Sequence, residues 1–286
     1  MKNKLLIYAV GGMGNRFNSI INGLYFNDKY FNGKVILYWP NEETCDCKFT
    51  DLFELTPNIS IINTLDNLDM GMFKIYGKYS DTRPEVAPVV GTFGSLMDNS
   101  YCVDEYSNNI ATVTDTPHRN ITEEHRAAIL KRFTPIKYIR DEVDTFCKDN
   151  NINADTLGLH IRRTDGEITL GRPDSYFINQ IQNNKDANTF ICSDSYETES
   201  KLKLLFPDNV YFRKKLSYTE KIYDGRWNDI RVFDKEQNKE INIKYNVKIS
   251  KQAAIDGLID ILILSKTNFN NSKSTFCQTA WYLRDR

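Results

Sequence analysis

The chain has 286 residues, a formal net charge of −1 and six scattered cysteines. A charge so close to zero excludes a global attraction to nucleic acid or to an anionic membrane surface, so any basic binding site must be local. The length suits two α/β domains or one large one; we expect two, over residues 1–150 and 151–286, with a polar linker near Lys148–Asn153.

The cysteines and the first residues predict a cytoplasmic protein without a metal site. Only Cys45 and Cys47 are close in sequence, and their spacing, with no histidine nearby, is poor for zinc. We therefore expect reduced thiols. The apolar run before Gly11 is about six residues long, which is too short for a signal peptide or a membrane span. The predicted location is the cytoplasm of a bacterium or of a virus-infected host cell.

The amino-terminal stretch predicts a strand, a glycine turn and a helix. The strand covers Leu5–Val10, the turn is Gly11-Gly12-Met13-Gly14, and the helix runs from about Asn15 to Asp28 with apolar residues at helical spacing. Backbone N–H groups at such a turn can approach an anionic ligand, although the same glycines also suit a purely structural turn. Asn15 and Arg16 are the polar side chains expected to face a ligand there.

The rest of the first half alternates short strands with irregular segments. Strands are predicted at Lys34–Trp39 and Ile59–Asn63. The stretch from Thr64 to Thr116 has no clear period, and its aromatic residues make it the candidate acceptor-binding region, since aromatic rings in exposed loops can stack on sugars. Those aromatic residues, each of which could instead belong to the core, are Phe73, Tyr76, Tyr79 and Phe93. A helix with Thr122 as its N-cap and a second helix over Tyr138–Asn150 follow.

The second half has a regular βαβ rhythm, which favours a parallel sheet covered by helices. The predicted strands are Thr156–Ile161, Thr189–Cys192, Val210–Phe212 and Asn268–Ser272. The predicted helices are Ser175–Asn183, Glu197–Phe206, Lys251–Lys266 and Ser274–Arg284. Between them, Leu216–Val247 is polar and is interpreted as a long excursion. The expected fold class is therefore α/β.

Two adjacent arginines, Arg162 and Arg163, follow the first strand of this second half. Open α/β folds bind ligands at the carboxyl ends of their strands, and the guanidinium fork suits a phosphate. Because neighbouring strand residues point to opposite faces, we expect one arginine to face the ligand and the other to brace the loop. A surface ion pair with Asp165 is the plain alternative.

The order of several motifs resembles the α1,6- and nodulation-type fucosyltransferases, and more loosely the α1,2- and protein O-fucosyltransferases. The motifs are Gly11–Arg16, the H-x-R-R-x-D stretch His160–Asp165, Cys192–Ser195, Asp260 with Leu264-Ser265, and Ser272–Phe276. The resemblance covers most of the chain but is thin between about Thr64 and His118. It implies a GT-B-like fold, in which two Rossmann-like domains face a cleft, and an inverting transfer of a sugar from a nucleotide donor without a metal or another cofactor. The last helix would pack back on the first domain.

The resemblance also assigns the donor phosphates. It implies that Arg162 binds the diphosphate, that Arg163 assists, and that Asp165 orients the pair. The turn with Gly12 and Gly14 would help to hold the donor. The hydroxyl groups near the last helix would hold the β-phosphate, although they could also act as simple helix caps; they are Ser272, Ser274 and Thr275.

The base and ribose contacts follow from the same resemblance. Asp260 matches the carboxylate that reads guanine, with Asp256 one helical turn earlier as its competitor. His160 would lie near the base or ribose, or be an ordinary buried histidine. The resemblance further implies that nucleotide contacts come from Tyr176, Asp194 and Ser195.

The general base and the donor sugar are the points where the chain departs from the family. Glu167 is the candidate base, but it is closer to Asp165 than expected, and Gly166 replaces a lysine. The preferred donor is GDP-fucose and the acceptor a glycan or glycoconjugate, with no nucleic acid as partner. The alternatives are another nucleotide sugar such as UDP-xylose, a non-catalytic carbohydrate- or nucleotide-binding protein, and a dehydrogenase, for which the glycine spacing is wrong.

Overall fold

The computed structural model describes residues 3–77, 89–91, 96–97, 109–114, 118–164, 172–221, 228–234, 239–245, 247–270 and 274–284. The chain divides into two compact units. The first contains Met1–Asn41 and Lys48–Ile136, and the second contains Glu42–Cys47 and Lys137–Arg286.

The first unit is built on a six-stranded sheet whose described pairings are all parallel. Its strands are β1 Lys4–Tyr8, β2 Lys34–Tyr38, β3 Ile59–Ile62, β4 Phe73–Gly77, β5 Val89–Gly91 and β6 Asn109–Val113, in the order β3-β2-β1-β6-β4-β5. The central strand β1 is buried after its first residue, as its continuous apolar sequence predicts.

Helix α1, Met13–Phe26, follows the glycine turn and is buried from Arg16 to its end. The turn needs a glycine at Gly11, whose φ of +78° is unfavourable for other residues. A short π-helical turn, Asn27–Phe31, and left-handed Asn32 then lead into β2. Helix α2, Glu123–Leu130, begins at the predicted cap, since the Thr122 hydroxyl accepts a hydrogen bond from the His125 N–H.

The segment from Thr64 to Thr116 contributes core structure, which partly corrects its interpretation as an acceptor-binding loop. It supplies β4, β5 and β6, so half of the strands in this sheet come from it. Phe73 is buried in the cluster around Leu6 and Tyr8 and is no exposed stacking platform. No clear period is visible here because the strands are short: β4 alternates buried and half-buried positions over only five residues. Tyr79 and Phe93 lie outside the described residues.

The second unit contains a three-stranded parallel sheet of β7 Leu157–Ile161, β8 Thr189–Ser193 and β9 Val210–Tyr211. Its helices are α3 Lys137–Asp149, α4 Asp174–Asn183, α5 Tyr196–Leu205, α6 Lys251–Ser265 and α7 Thr275–Leu283. Every predicted strand–helix alternation of this half is confirmed, except that Asn268 forms only an isolated bridge to Leu157 instead of the start of a strand.

Glycine at position 158 lets the chain after α6 approach β7 closely. A Cβ atom there would lie 2.1 Å from the Thr267 hydroxyl oxygen and 2.8 Å from a Leu264 methyl carbon. The backbone N–H of Gly158 instead donates to the carbonyl of Asn268 at 2.9 Å. This contact seats the most apolar helix of the chain against the strand that precedes the two arginines.

The polar excursion after β9 contains more strand than the sequence indicated. It holds β10 Glu220–Lys221, β11 Asn228–Asp234, β12 Lys239–Tyr245 and β13 Val247–Lys248, paired as two antiparallel ribbons, β10 with β13 and β11 with β12. Within the described ranges, no helix is long and apolar enough to cross a membrane.

Apart from Glu42–Cys47, which belong to the second unit, the units divide between Ile136 and Lys137, whereas the sequence placed the linker near Lys148–Asn153. The physical reason is that α3 packs against α6 and so belongs to the second unit. Its buried residues, Ile139, Val143 and Cys147, recur at helical spacing and form the face that makes this contact possible.

Candidate functional site

The loop after β7 is held at the carboxyl end of the neighbouring strand by one carboxylate. Oδ1 of Asp194 accepts a hydrogen bond from the backbone N–H of Arg163 at 2.6 Å. Its Oδ2 accepts two more, from the Thr164 N–H at 3.1 Å and from the Thr164 hydroxyl at 2.6 Å. Because β7 and β8 are parallel neighbours, their ends meet at the same edge, and Asp194 fixes the backbone next to the arginines.

The Arg163 side chain acts as a brace, as expected of one member of the pair. Its guanidinium donates to the Arg172 carbonyl at 2.8 Å and to Asp174 Oδ1 at 2.6 Å. Asp174 also pairs with Lys201 at 2.5 Å, and the Lys201 hydrogen bond, followed by Arg163, lowers the pKa of that carboxyl. Arg163 therefore pairs with Asp174 at the start of α4, while Asp165 of the plain alternative lies outside the described residues.

His160 lies one residue before the loop and is stacked on Phe276 of α7, with ring centroids 4.4 Å apart and planes inclined by 8°. Burial lowers the histidine pKa to about 4; Arg162 and Lys215 lower it further, and Asp194 opposes them. The imidazole is therefore neutral near pH 7. His160, Arg162 and Asp194 lie at the adjoining ends of the parallel strands β7 and β8, which brings the three predicted site residues close together.

Other predicted site residues sit at helix starts around this edge. Ser195 is the N-cap of α5, and its hydroxyl accepts from the Thr198 N–H at 3.2 Å. Ser274 is the N-cap residue of α7 and Thr275 its first residue. Tyr176, in α4, is covered on one face by the guanidinium of Arg172, 4.1 Å from the ring centroid. These placements agree with structural roles, and their nucleotide contacts stay predictions.

Asp260, the predicted guanine-reading residue, lies inside a cluster of buried charges. It is 2% exposed, its Oδ2 is 3.0 Å from Lys215 Nζ, and its Oδ1 is 3.6 Å from Arg213 Nε. Burial raises the pKa of the Asp260 carboxyl, although Lys215 and Arg213 oppose the shift. A guanine base would have to bind a carboxylate that also contacts Lys215 and Arg213, and guanine recognition by Asp260 stays a prediction.

Asp256, its competitor, is also fully committed. Its Oδ1 pairs with Arg213 at 2.5 Å, and its Oδ2 accepts from the backbone N–H groups of Leu216 and Ser217 at 3.0 and 3.1 Å. Asp256 therefore fastens the loop after β9 to α6. It has a structural role in this arrangement.

Glu199 and Lys215 complete the buried cluster and were missed by the sequence interpretation. Glu199 is 0% exposed and accepts from Lys215, from the Ser193 N–H at 2.7 Å and from the Tyr218 hydroxyl at 2.6 Å. Burial raises the Glu199 pKa to about 7, while Lys215 pulls it down. Burial alone would lower the Lys215 pKa, but the attraction of Asp260 and Glu199 keeps it raised.

A signal for this cluster was present in the sequence. Asp256 and Asp260 are four residues apart in an otherwise apolar helix, so both point to one face. Arg213 and Lys215 are two residues apart after a strand, so they also share a side. Two buried carboxylates and two cations at matching spacings predict an ion-pair cluster, whereas the partnership with Glu199 depends on tertiary packing.

The glycine turn of the first unit has a different character. Gly12 is the N-cap residue of α1, and its carbonyl accepts from the N–H groups of Asn15 and Arg16 at 2.9 and 3.1 Å. Arg16 is 0% exposed; its Nε donates to the Gly11 carbonyl at 2.7 Å, and its guanidinium carbon lies 4.6 Å from the Trp39 ring centroid. In this structure the Arg16 guanidinium helps to fix the turn, and its predicted contact with a donor stays a prediction. Gly14 and Asn15 are partly exposed.

Three predicted residues, Asp165, Glu167 and Ser272, lie outside the described part of the chain. Among the described residues, no three His, Cys, Asp or Glu side chains are grouped so that they could hold a metal ion. The described edge of β7 and β8 offers a fixed backbone, a guanidinium at Arg162 and a neutral imidazole. Such a set of groups can bind an anion and hydrogen-bond a polar ring.

Comparison with solved structures finds the same fold along almost the whole chain. NodZ α-1,6-fucosyltransferase co-crystallised with GDP matches with a TM-score of 0.62 and 14% identity over 99% of this chain and 93% of NodZ. The Se-Met fucosyltransferase NodZ from Bradyrhizobium gives 0.63 at the same identity and coverage. POFUT1 in complex with GDP-fucose gives 0.52 and 12% identity over 99% of this chain and 95% of POFUT1.

No family model matches the chain, and no curated protein matches it by sequence. The identities of 12–14% carry the fold and not the reaction. The resemblance inferred from the ordered motifs is nevertheless confirmed at the level of structure: the chain has the GT-B α/β fold of the fucosyltransferases NodZ and POFUT1.

Proposed function

We propose that the chain is an inverting glycosyltransferase that moves L-fucose from GDP-fucose to a hydroxyl group of a glycan, without a bound metal. The observation that carries the proposal is the arginine pair at the end of β7, in a fold whose solved members include complexes with GDP and GDP-fucose. Arg163 is committed to bracing the loop, which makes Arg162 the member of the pair assigned to the diphosphate.

In the proposed reaction, the bond between the fucose anomeric carbon and the β-phosphate oxygen breaks, and GDP leaves with the electron pair. The acceptor oxygen forms the new bond on the opposite face of the sugar and loses its proton to a carboxylate, for which Glu167 is the candidate. Negative charge grows on the β-phosphate as the bond breaks, and a preorganised guanidinium at Arg162 stabilises that charge. The neutral ring of His160 serves as a hydrogen-bonding partner for the base or ribose.

Preorganisation explains why the supporting hydrogen bonds matter. Asp194 receives three hydrogen bonds from Arg163 and Thr164, and Arg163 in turn holds Arg172 and Asp174. The described residues Thr164 and Arg172 are thereby held in place. Because the backbone next to Arg162 is fixed before the donor arrives, less orientational freedom is lost when the arginine binds it, which favours transition-state stabilisation.

The proposal is tested by measuring thermal stability with GDP, GDP-fucose, UDP and UDP-xylose, because a ligand that binds the folded state raises its melting temperature by mass action. We expect the guanine nucleotides to give the largest shifts. A larger shift with UDP-xylose would move the proposal to another nucleotide sugar, and no shift with any nucleotide would overturn it.

Transfer to a mixed glycan acceptor pool should then be followed with GDP-fucose in the presence of EDTA. Retained transfer supports the role given to arginine. Loss of transfer that Mn²⁺ restores would contradict the metal-independent mechanism.

A further inference from the structure

We propose that Glu199 is a positioning residue of the nucleotide site, which holds the Ser193–Asp194 turn and takes up a proton when a nucleoside diphosphate binds. This inference rests on the proposed function for the identity of the ligand. Glu199 is an interior residue of α5, is fully buried, and was not predicted as a site residue.

The positioning role follows from a continuous set of hydrogen bonds. Glu199 accepts from the Ser193 N–H at 2.7 Å, which fixes the peptide just before Asp194. Asp194 then receives the Arg163 N–H and both donors of Thr164. Glu199 thus acts on the arginine loop through Asp194, one residue along the chain from its own hydrogen bond.

The proton follows from a count of buried charges. Arg213 and Lys215 supply two cations, while Glu199, Asp256 and Asp260 supply three carboxylates, so the fully ionised cluster has one negative charge in excess. A buried net negative charge is unfavourable, so the cluster favours binding one proton, and further negative charge nearby strengthens that preference.

Geometry assigns that proton to Oε2 of Glu199. Both oxygens of Asp260 face cations, Lys215 and Arg213, which can only donate. Oε1 of Glu199 likewise faces two donors, the Ser193 N–H and Lys215. Oε2 alone faces a group that can also accept, the Tyr218 hydroxyl at 2.6 Å. Protonation therefore reverses one hydrogen bond, and the bond to Ser193 is kept in both states.

The groups that surround this cluster come from every neighbouring element. They are Lys215, Arg213 and Tyr218 from the loop after β9, Asp256 and Asp260 from α6, Cys192 from β8, Cys277 from α7, His160 from β7 and Glu142 from α3, which faces Arg213. Burial raises the pKa of the Cys192 thiol and lowers that of His160 to about 4. Burial raises the pKa of the Asp260 carboxyl as well, and it raises that of Glu199 to about 7, close to neutral pH.

A bound diphosphate shifts the proton balance. Glu199 accepts from the Ser193 N–H, and the next residue, Asp194, accepts from the Arg163 N–H, so the cluster and the proposed phosphate ligand share one neighbourhood. Added negative charge disfavours the ionised carboxylate and raises the fraction of protonated Glu199. GDP affinity should then increase as pH falls through about 7. If binding raised the Glu199 pKa by about half a unit, the change would be about threefold.

The test compares Glu199→Gln with Glu197→Gln, an exposed glutamate on the same helix. The amide that Glu199→Gln introduces can keep the Ser193 bond and donate to the Tyr218 oxygen, so it imitates the protonated state. Proton uptake is measured by calorimetric titration with GDP at pH 7 in buffers of different ionisation enthalpy. Titration of the GDP phosphate itself contributes equally to all variants and cancels in their difference.

We expect the wild type and Glu197→Gln to take up more protons than Glu199→Gln, whose GDP affinity should vary less between pH 6 and 8. Equal uptake by all three would overturn the proton assignment. If Glu199→Gln fails to fold, Tyr218→Phe replaces it; losing the hydroxyl donor should move the uptake to higher pH, and an unchanged profile would contradict the proposal.

Positioning is tested separately with Glu199→Ala, checked for folding by circular dichroism. Because a misplaced arginine loop affects the β-phosphate most, GDP affinity should fall by roughly tenfold while GMP affinity changes little. Equal losses for GDP and GMP would indicate a merely structural role. If the wild type binds no GDP at all, the proposed function fails instead, and this outcome is distinct from the other two.

Discussion

The two strand ends predicted to hold a donor, after β1 and after β7, use arginine in opposite ways. At the first, Arg16 is fully buried, bonded to the Gly11 carbonyl and stacked on Trp39. At the second, Arg163 pairs with Asp174, and Asp194 accepts from the backbone N–H of Arg163. Arg162 stands in the sequence between the end of β7 and Arg163. The difference teaches that an arginine beside a glycine turn can stabilise the turn itself. In a pair of adjacent arginines, by contrast, one can stabilise the loop while the other binds the ligand.

Replacement of Arg162 should show the largest functional difference between the strand ends after β1 and after β7. Arg162→Ala should lower kcat/KM by roughly 10²–10³-fold, the loss typical of one preorganised electrostatic donor, with little change in melting temperature. Arg162→Lys should recover only part of the activity, because a point charge does not reproduce the guanidinium fork. Steady-state kinetics with Arg119→Ala, an exposed arginine, as control provide the measurement. Near-normal turnover in a folded Arg162→Ala protein would refute the diphosphate assignment.

Arg16 should behave in the reverse manner, affecting stability first. Arg16→Met keeps the packing against Trp39 but removes the donor to the Gly11 carbonyl, so we expect a loss of about 3 kcal/mol in the free energy of unfolding. Urea unfolding followed by circular dichroism measures it, with Arg119→Met as the matched control. An unchanged midpoint would contradict the structural role given to Arg16.

Glu199 distinguishes the second end by its pH dependence. Its folded pKa is raised from 4.5 to about 7, so the folded state holds a proton that the unfolded state releases. The contribution of this proton to the free energy of unfolding is fully present below pH 4.5 and is lost as pH rises to about 7. Relative to the wild type, Glu199→Gln should therefore gain up to ~3 kcal/mol between pH 4.5 and 8.

His160 acts with the opposite sign over nearly the same window. Its folded pKa is lowered from 6.5 to about 4, so its contribution is present above pH 6.5 and is lost as pH falls to about 4. The two groups offset each other in the wild type. Urea midpoints of Glu199→Gln from pH 4 to 8 should rise more steeply than those of the wild type. Parallel profiles would contradict the Glu199 assignment, and a Glu199→Gln profile that does not rise between pH 4 and 6.5 would contradict the His160 assignment.

The smallest expected effect concerns the brace on Arg163. Asp174→Asn removes the charged partner of Arg163 and Lys201, and we expect roughly a tenfold loss of kcat/KM with little change in stability, since this ion pair is partly exposed. Lys201→Ala keeps the ion pair between Asp174 and Arg163, so kcat/KM should stay close to that of the wild type. An effect of Lys201→Ala as large as that of Asp174→Asn would contradict this division.

The sequence alone determined the local elements and the position of the arginines. The helix after Gly12, the Thr122 cap and the βαβ rhythm of the second half were predictable because glycine, hydroxyl caps and apolar spacing act over a few residues. The end of β7 as the site of two arginines followed from the same local pattern. The ordered motifs also predicted the fold, which the solved structures confirm.

Tertiary structure alone decided which polar side chains are held by hydrogen bonds or ion pairs within the protein. The burial of Arg16, the pairing of Arg163 with Asp174 and the meeting of Glu199, Lys215 and Asp260 join residues from separate elements. The strands β4, β5 and β6 likewise become evident only when they pair with one another and with β1. Such contacts are set by the packing of distant segments, where burial and charge pairing outweigh the local preferences that a sequence displays.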